Sequence, residues 1–340
     1  MTSTNTCETL AVSARAVLDL APGAPHRPRL LVVHNPTAGW RRRRRLAAVL
    51  AELERRGCEV VLRETTCRGD AEAFAAAAGT DEFDRIVVAG GDGTINEAIN
   101  GLSDRGLPLA VVPMGTANVL AAEIGLGVRP RAIAAAILDG PATRVALGRI
   151  HGSQRPVRRF SMMAGIGFDA HVVARVSPWL KRLTGKFAYV LASLAQIRDY
   201  RATMYDVTVD GRRYRAASVI IAKGHFYGGR FVVAPAARLH ERYVHVCLFT
   251  RAGRLHAIRY AAALLVGQLH RLSDVTLLRA RRVEVHGPAG EPVQVDGDHD
   301  GVLPVAIDID DEALQLVVPA PAPARRRGGS RGLAPAAGRA

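Results

Sequence analysis

Lysine, cysteine, aromatic residues and long apolar runs are all scarce in this 340-residue chain, and the shortages of cysteine and of apolar runs each remove a class of protein. The four cysteines, Cys7, Cys58, Cys67 and Cys247, are scattered without C-x-x-C spacing. That excludes a disulfide scaffold and a zinc module, and the thiols read as reduced. The most apolar helical stretch, Ala257 to Gly267, carries Arg259 and falls well short of the ~20 residues a spanning helix needs. The amino-terminal segment lacks a basic start, and Arg15 and Asp19 interrupt its apolar stretch, which argues against a secretory signal and for a cytoplasmic protein. No G-x-x-x-x-G-K-[ST] run is present, so a Walker-type loop is absent. Gly185-Lys186 is followed by Phe187 and reads as a helix start. No internal repeat is evident. What is present, 49% hydrophobic and 23% charged residues, suits a folded chain of about two domains.

Lysine is confined to Lys181, Lys186 and Lys223, so arginine supplies nearly all of the 46 basic residues that set the net charge at +15. Arg41 to Arg45 form one run, and Arg325, Arg326, Arg327, Arg331 and Arg339 load the tail. This imbalance predicts attraction to phosphate-bearing partners. Nucleic acid is not expected, because no zinc module, RNP-type aromatic motif or basic zipper accompanies the charge. Successive helical residues turn about 100°, so Arg41 to Arg45 cannot all serve one site. Most of them read as solvated, and the others as contacts for phosphate-bearing groups.

Residues 1–27 show no sustained period and form a loose lead-in. A strand–helix rhythm then begins. Leu30 to Val33, Val60 to Leu62, Ile86 to Ala89 and Leu109 to Val112 are short apolar runs that predict buried strands. Between them lie helical patterns: Leu46, Val49, Leu50 and Leu53 on one face with Gly57 at the end, Ala71 to Ala78, and Ile95, Ala98 and Ile99. Further helices are expected around 117–125 and 130–139. The alternation predicts an α/β domain with a parallel sheet over residues 28–143. From 144 to 318 the chain reads as mostly β, with strands over 143–151, 157–164, 202–209, 214–223, 243–249, 275–286, 291–296 and 302–309, and helices near 169–199 and 254–270. The tail 319–340 has almost no large apolar residue and is expected to be disordered.

Ligands of an open parallel sheet bind beyond the carboxyl ends of its strands. Three loops fall there: Asn35-Pro36-Thr37-Ala38-Gly39, Gly90-Gly91-Asp92-Gly93-Thr94-Ile95-Asn96-Glu97, and Met114-Gly115-Thr116-Ala117-Asn118. Each combines glycine with Thr or Asn and then starts a helix. Glycine lets backbone approach an anion, and the free amides and dipole of a helix start attract negative charge. Thr94, Thr116 and Asn35 offer side-chain hydrogen bonds to phosphate. Asp92 inside such a cradle either organises the glycine turn or holds a metal with its waters. Asp296-Gly297-Asp298-His299-Asp300-Gly301 imitates a calcium loop, but its twelfth residue is Ile307 and its flanks alternate like strands, against an EF-hand. A solvated acidic hairpin is the plain alternative.

The ordered set NPTAG, GGDGTINE, PMGTAN, AGIGFDA (164–170), YGGRFVVAP (227–235) and VQVDGD (293–298) resembles the diacylglycerol kinase catalytic family, which includes bacterial lipid kinases, sphingosine kinases and ceramide kinases. The resemblance spans residues 29–318. It implies an NAD-kinase/diacylglycerol-kinase-like α/β domain plus a sandwich-like β domain, with ATP bound in the cleft between them. The matching ATP positions are Asn35, Thr65, Gly90, Gly91, Asp92, Gly93, Thr94, Ile95, Asn96 and Thr116. The Asp of the family's D-G-E motif, its general base, falls on Asp296, and the Glu becomes Asp298, a shorter side chain of equal charge. ATP and Mg²⁺ are the implied cofactors, and the acceptor is a lipid hydroxyl. Diacylglycerol is the expected acceptor, with a sphingoid base, ceramide or glycolipid as alternatives. NAD kinase and a non-catalytic nucleotide sensor fit the later motifs less well. Many family members also hold a structural Mg²⁺ at an Asp-Gly turn after an A-P motif. Here Glu241 takes the Asp position, with the carbonyls of Arg238 and Tyr243 as partners and Arg242 in place of glycine. The basic tail and the expected lipid substrate point to peripheral attachment at an anionic membrane surface. A homo-oligomer stays open.

Overall fold

The computed structural model describes residues 27–38, 42–102, 106–152, 156–168, 170 and 203–320. Nearly all of the lead-in, the helix expected near 169–199 with Gly185-Lys186, and the tail from residue 321 lie outside the described residues.

Four parallel strands build the amino-terminal unit: β1 (Arg29–His34), β2 (Glu59–Glu64), β3 (Arg85–Gly90) and β4 (Leu109–Pro113). Their order is β2-β1-β3-β4. β1, β3 and β4 are buried almost throughout, as their unbroken apolar runs require, whereas edge strand β2 is largely open to solvent. The connecting helices are α1 (Arg43–Arg55), α2 (Asp70–Ala77), α3 (Asp92–Leu102), α4 (Val119–Glu123) and α5 (Pro130–Asp139). α1 buries Leu46, Val49 and Leu53, and Gly57 follows it at φ +85°, a left-handed stop that glycine adopts freely. Chain order reverses between β1 and β3, the kind of switch point at whose carboxyl ends open parallel sheets bind ligands.

The rest of the chain is a two-sheet sandwich. One layer continues the first sheet through β18 (Val305–Val317), β15 (Arg282–His286), β8 (Tyr205–Val209) and β9 (Arg212–Ala216), with β5 (Ala142–Gly152) and β6 (Arg158–Phe160) paired off β18. The second layer runs β14 (Val275–Ala280), β13 (Val244–Phe249), β10 (Ser218–Ala222), β7 (Met163–Ile166), β16 (Pro292–Val295) and β17 (Asp298–Val302). A hairpin of β11 (Phe226–Tyr227) and β12 (Phe231–Val232), and helix α6 (Arg254–Leu265), complete it. Between the layers, Ile150, Phe160, Val219, Ile221, Val246, Val283, Val293 and Ile307 form one core. The opposite face of the second layer contributes Ile220, Cys247 and Phe249 to the core of the amino-terminal unit. Both faces of that layer are therefore buried, and one apolar cluster joins the two halves.

β18 belongs to both halves. Its end pairs parallel with β4 (Leu316 opposite Leu109), while its start pairs antiparallel with β15. The division expected between 143 and 144 falls inside β5, which runs antiparallel along most of β18. Three segments expected as single strands are each split between the layers: 157–164 into β6 and β7, 214–223 into β9 and β10, and 275–286 into β14 and β15. A strand that changes sheet at a sandwich corner keeps its alternating composition, so periodicity does not reveal the corner.

Candidate active site

The three glycine-bearing loops meet at the carboxyl edge of β1, β3 and β4. Asn35 joins the first to the second: its Nδ2 donates to Thr94 Oγ1 at 3.0 Å, and its Oδ1 accepts from the Thr37 amide at 3.0 Å. The second and third loops touch backbone to backbone. A Cβ on Gly115 would stand 2.6 Å from the Gly91 Cα, so only glycine permits this approach. Gly90 is hemmed in by the Thr94 side chain in the same way. α3 opens within the GGDGT turn, and the amides of a first helical turn lack intrahelical acceptors. Thr65 is buried, with its amide donating to the His34 carbonyl; Ile95 packs beneath the turn; Thr116 is exposed at its rim.

Asp92 ties two of the loops together. Its Oδ1 accepts the Val119 amide at 2.7 Å, so the carboxylate caps the start of α4 and ties the second loop to the third. Burial pushes the Asp92 carboxyl up to about 6, with the Asp296 charge adding to the rise and the α4 amides opposing it. Glu97, in the same motif, reaches the amides of Gly69 and Ala71 at the start of α2; burial raises its carboxyl.

Asp296 approaches from the other half at φ +46°, in the turn between β16 and β17. Its Oδ1 accepts the Met162 and Met163 amides, both at 2.9 Å. Its Oδ2 accepts the Ser161 amide at 2.9 Å, Asn96 Nδ2 at 3.0 Å and Ser161 Oγ at 3.2 Å. Burial raises the Asp296 carboxyl while these donors pull it back. The Ser161-Met162 corner is the point where the chain crosses from β6 to β7, so the sheet switch itself supplies the amides. Asn96, expected at the nucleotide, has its amide group committed to Asp296 and to the Arg159 carbonyl. Asp298 lies against the GGDGT turn: a Cβ on Gly93 would come within 2.7 Å of its Oδ2.

Three groups at this cleft gave no sequence motif. Arg42, just before α1, holds a buried Nη1 with no hydrogen-bond partner among the described residues, and burial, then Arg45, lowers its pKa. Arg45 donates to the Pro113 carbonyl at 3.1 Å, which brings this basic pair to the third loop. Glu123, at the end of α4, accepts the amides of His225 and Phe226 at 3.1 and 3.2 Å and pairs with His225 Nδ1, bridging the two halves. Lys223 is fully buried and donates to main-chain carbonyls near Glu241. Only the arginine run carried a signal in the sequence, as charge.

The residues of the expected structural Mg²⁺ site do not fit a metal. The Glu241 carboxylate pairs with His245 Nε2 at 3.2 Å and Arg279 at 3.1 Å, which hold it below the usual range against burial that raises it. The Tyr243 ring lies under the Arg279 guanidinium, and the Arg238 carbonyl faces the Lys223 ammonium. Among the described residues no three His, Cys, Asp or Glu side chains converge on a metal position.

A parallel sheet with glycine-rich loops at one edge thus meets acidic residues from a β-sandwich at one cleft. The model of the diacylglycerol kinase catalytic domain matches residues 29–150, and that of the YegS C-terminal NAD kinase beta sandwich-like domain matches 162–318. Diacylglycerol kinase from Bacillus subtilis (strain 168) is 31% identical over 283 residues, 81% of this chain and 91% of the relative. Diacylglycerol kinase from Mycobacterium tuberculosis H37Rv is 30% identical over 274 residues, 79% of this chain and 88% of the relative. A putative diacylglycerol kinase from Bacillus anthracis str. Sterne shares the fold, with a TM-score of 0.71 at 20% identity over 88% of this chain and 97% of its own. The chain belongs to the diacylglycerol kinase family.

Proposed function

We propose that the protein is an ATP-dependent lipid kinase that transfers the γ-phosphoryl group to the hydroxyl of diacylglycerol, giving phosphatidic acid. The observation that carries this is the meeting of three glycine-bearing loops with Asp296 and Asp298 from the other half; Arg42, beside Arg45 at the third loop, adds a buried Nη1 with no hydrogen-bond partner among the described residues. Buried cationic donors without acceptors are costly, and a phosphate oxygen would satisfy this one. The loop amides would bind the phosphates. Asp298, beside the glycine turn, would hold the Mg²⁺ that accompanies ATP, and that ion supplies charge neutralisation on the phosphate oxygens.

In the transfer, the lipid hydroxyl oxygen bonds to the γ-phosphorus, the bond from that phosphorus to the β,γ-bridging oxygen breaks, and ADP leaves. Asp296 takes the hydroxyl proton. Both of its oxygens already accept hydrogen bonds, and Ser161 Oγ at 3.2 Å is the longest of the five contacts. The substrate hydroxyl therefore displaces Ser161 Oγ, while the three amides and Asn96 keep the carboxylate aimed.

No helix among the described residues is long and apolar enough to cross a membrane. Attachment from the cytoplasmic side falls instead to α6. Leu255 (82% exposed), Ile258, Leu265 (61%) and Val266 (68%) lie on one face of it, flanked by the exposed Arg251, Arg254 and Arg259. An apolar stripe edged by arginine suits an anionic lipid surface. α6 also packs against β12, beside the hairpin that meets Glu123, so docking would bring the cleft to the bilayer.

The experiment is a lipid panel with labelled ATP and Mg²⁺: diacylglycerol, sphingoid base, ceramide, glycolipid and NAD. Label in phosphatidic acid alone supports the reading. Label in another lipid reassigns the acceptor, and label in NAD or in nothing overturns the reading.

A further inference from the structure

We infer that the ammonium of Lys223 permanently occupies the cation position formed by the main-chain carbonyls of Arg238, Leu239 and Glu241, so that this loop folds without a structural Mg²⁺. Lys223 follows β10 and is 0% exposed. Its Nζ donates to the carbonyls of Glu241 at 2.6 Å, Leu239 at 3.1 Å and Arg238 at 3.3 Å. An ammonium has three N–H donors and no acceptor, and three carbonyls use them all. The distances are those of hydrogen bonds, whereas Mg²⁺ needs oxygens at about 2.0–2.1 Å in near-octahedral array. A buried cation without such partners would be strongly disfavoured, so ammonium and loop depend on each other.

Two further features oppose a metal. The one carboxylate of the loop, on Glu241, is already paired with His245 and Arg279. A divalent ion at the carbonyls would also sit against the lysine charge. Three carbonyl acceptors surround the Lys223 amine, which is the surrounding an ammonium requires. The loop in question starts at Ala234-Pro235, where the resemblance implies Mg²⁺ but glycine at 242 is replaced by arginine. The lysine accounts for how that turn survives the replacement.

Lys223 also reaches the active site through its main chain. Its amide donates to the Met162 carbonyl at 2.7 Å, and the Met162 amide donates to Asp296 Oδ1 at 2.9 Å. The Lys223 side chain thus anchors the 234–241 loop from a backbone position that shares Met162 with Asp296.

The test uses nucleotide-free protein, so it does not depend on which lipid accepts phosphate. Wild-type protein is desalted, its metal content is read by mass spectrometry, and its Tm is compared in EDTA and in MgCl2. Substoichiometric metal and an unchanged Tm are expected; one retained equivalent of Mg²⁺, or a Tm that falls in EDTA, overturns the inference. Lys223→Met keeps the stem but strands three carbonyls, and its Tm should drop by about 10 °C in either solution. Lys223→Ala vacates the position, and its lowered Tm should climb with Mg²⁺ concentration where wild type does not respond. A Lys223→Ala protein as indifferent to Mg²⁺ as wild type would show that the carbonyls are no cation site. Should neither variant fold, the wild-type metal content and EDTA response still decide the matter.

Discussion

Replacing Asp296 by Asn puts the network between the two halves to a quantitative test. The substitution keeps the shape and turns one carboxylate oxygen into an NH2 group. Placed at Oδ1, that group confronts the amides of Met162 and Met163; placed at Oδ2, it confronts the Ser161 amide and the Asn96 side chain. Either orientation sets donor against donor at two sites or more. Each buried group so stranded costs about 1–3 kcal/mol, giving about 2–6 kcal/mol in all. Urea unfolding without nucleotide measures this loss. In the folded variant, single-turnover transfer from labelled ATP should slow by at least ~100-fold, since the proton acceptor is gone. Ser161→Ala is the control, because it removes only the 3.2 Å contact and should cost no more than ~1 kcal/mol. An Asp296→Asn protein as stable as wild type would refute the donor network, and one transferring phosphate at the wild-type rate would refute the base assignment.

Three other perturbations read separate parts of the site. Arg42→Met should raise the KM for ATP by roughly 10–100-fold, the worth of one charge-assisted contact, with the nucleotide-free Tm unchanged or raised because a buried N–H without an acceptor is removed; an unchanged KM would remove Arg42 from the phosphate site. Asp92 has a folded pKa of about 6 against an ordinary 3.8. Its contribution to stability is therefore full below the ordinary value and lost as pH rises through 6. Measured by urea unfolding from pH 4 to pH 7, Asp92→Asn should gain on wild type by at most about 3 kcal/mol, and a flat difference would contradict the buried cap. Leu265→Asp combined with Leu255→Asp should weaken sedimentation with vesicles rich in anionic lipid by tenfold or more while leaving ATP affinity intact; unchanged sedimentation would take α6 out of the membrane contact.

The legible part of this protein is local. Runs such as Leu30 to Val33 and Leu109 to Val112 are apolar because both faces of a central parallel strand are covered, so their period is readable without any partner. The glycines of the three loops are equally local signals, since the turn or the close approach that demands them lies within or beside each strand end. Position in the β-α order then sends all three loops to one edge.

Tertiary structure alone decided what those loops face. Asn96 meets Asp296 across 200 positions of sequence, and the amides that hold Asp296 come from a sheet corner that composition cannot locate. Asn96 read as a nucleotide ligand because its motif is local, yet its side chain answers to a residue in the other half. The same holds for the loop after Pro235: its carboxylate and carbonyls looked like metal ligands in sequence, and only the packing of β10 delivers the Lys223 ammonium among them. Backbone period is set by neighbours a few residues away, whereas the partner of a buried charge is set by which surfaces the fold brings together.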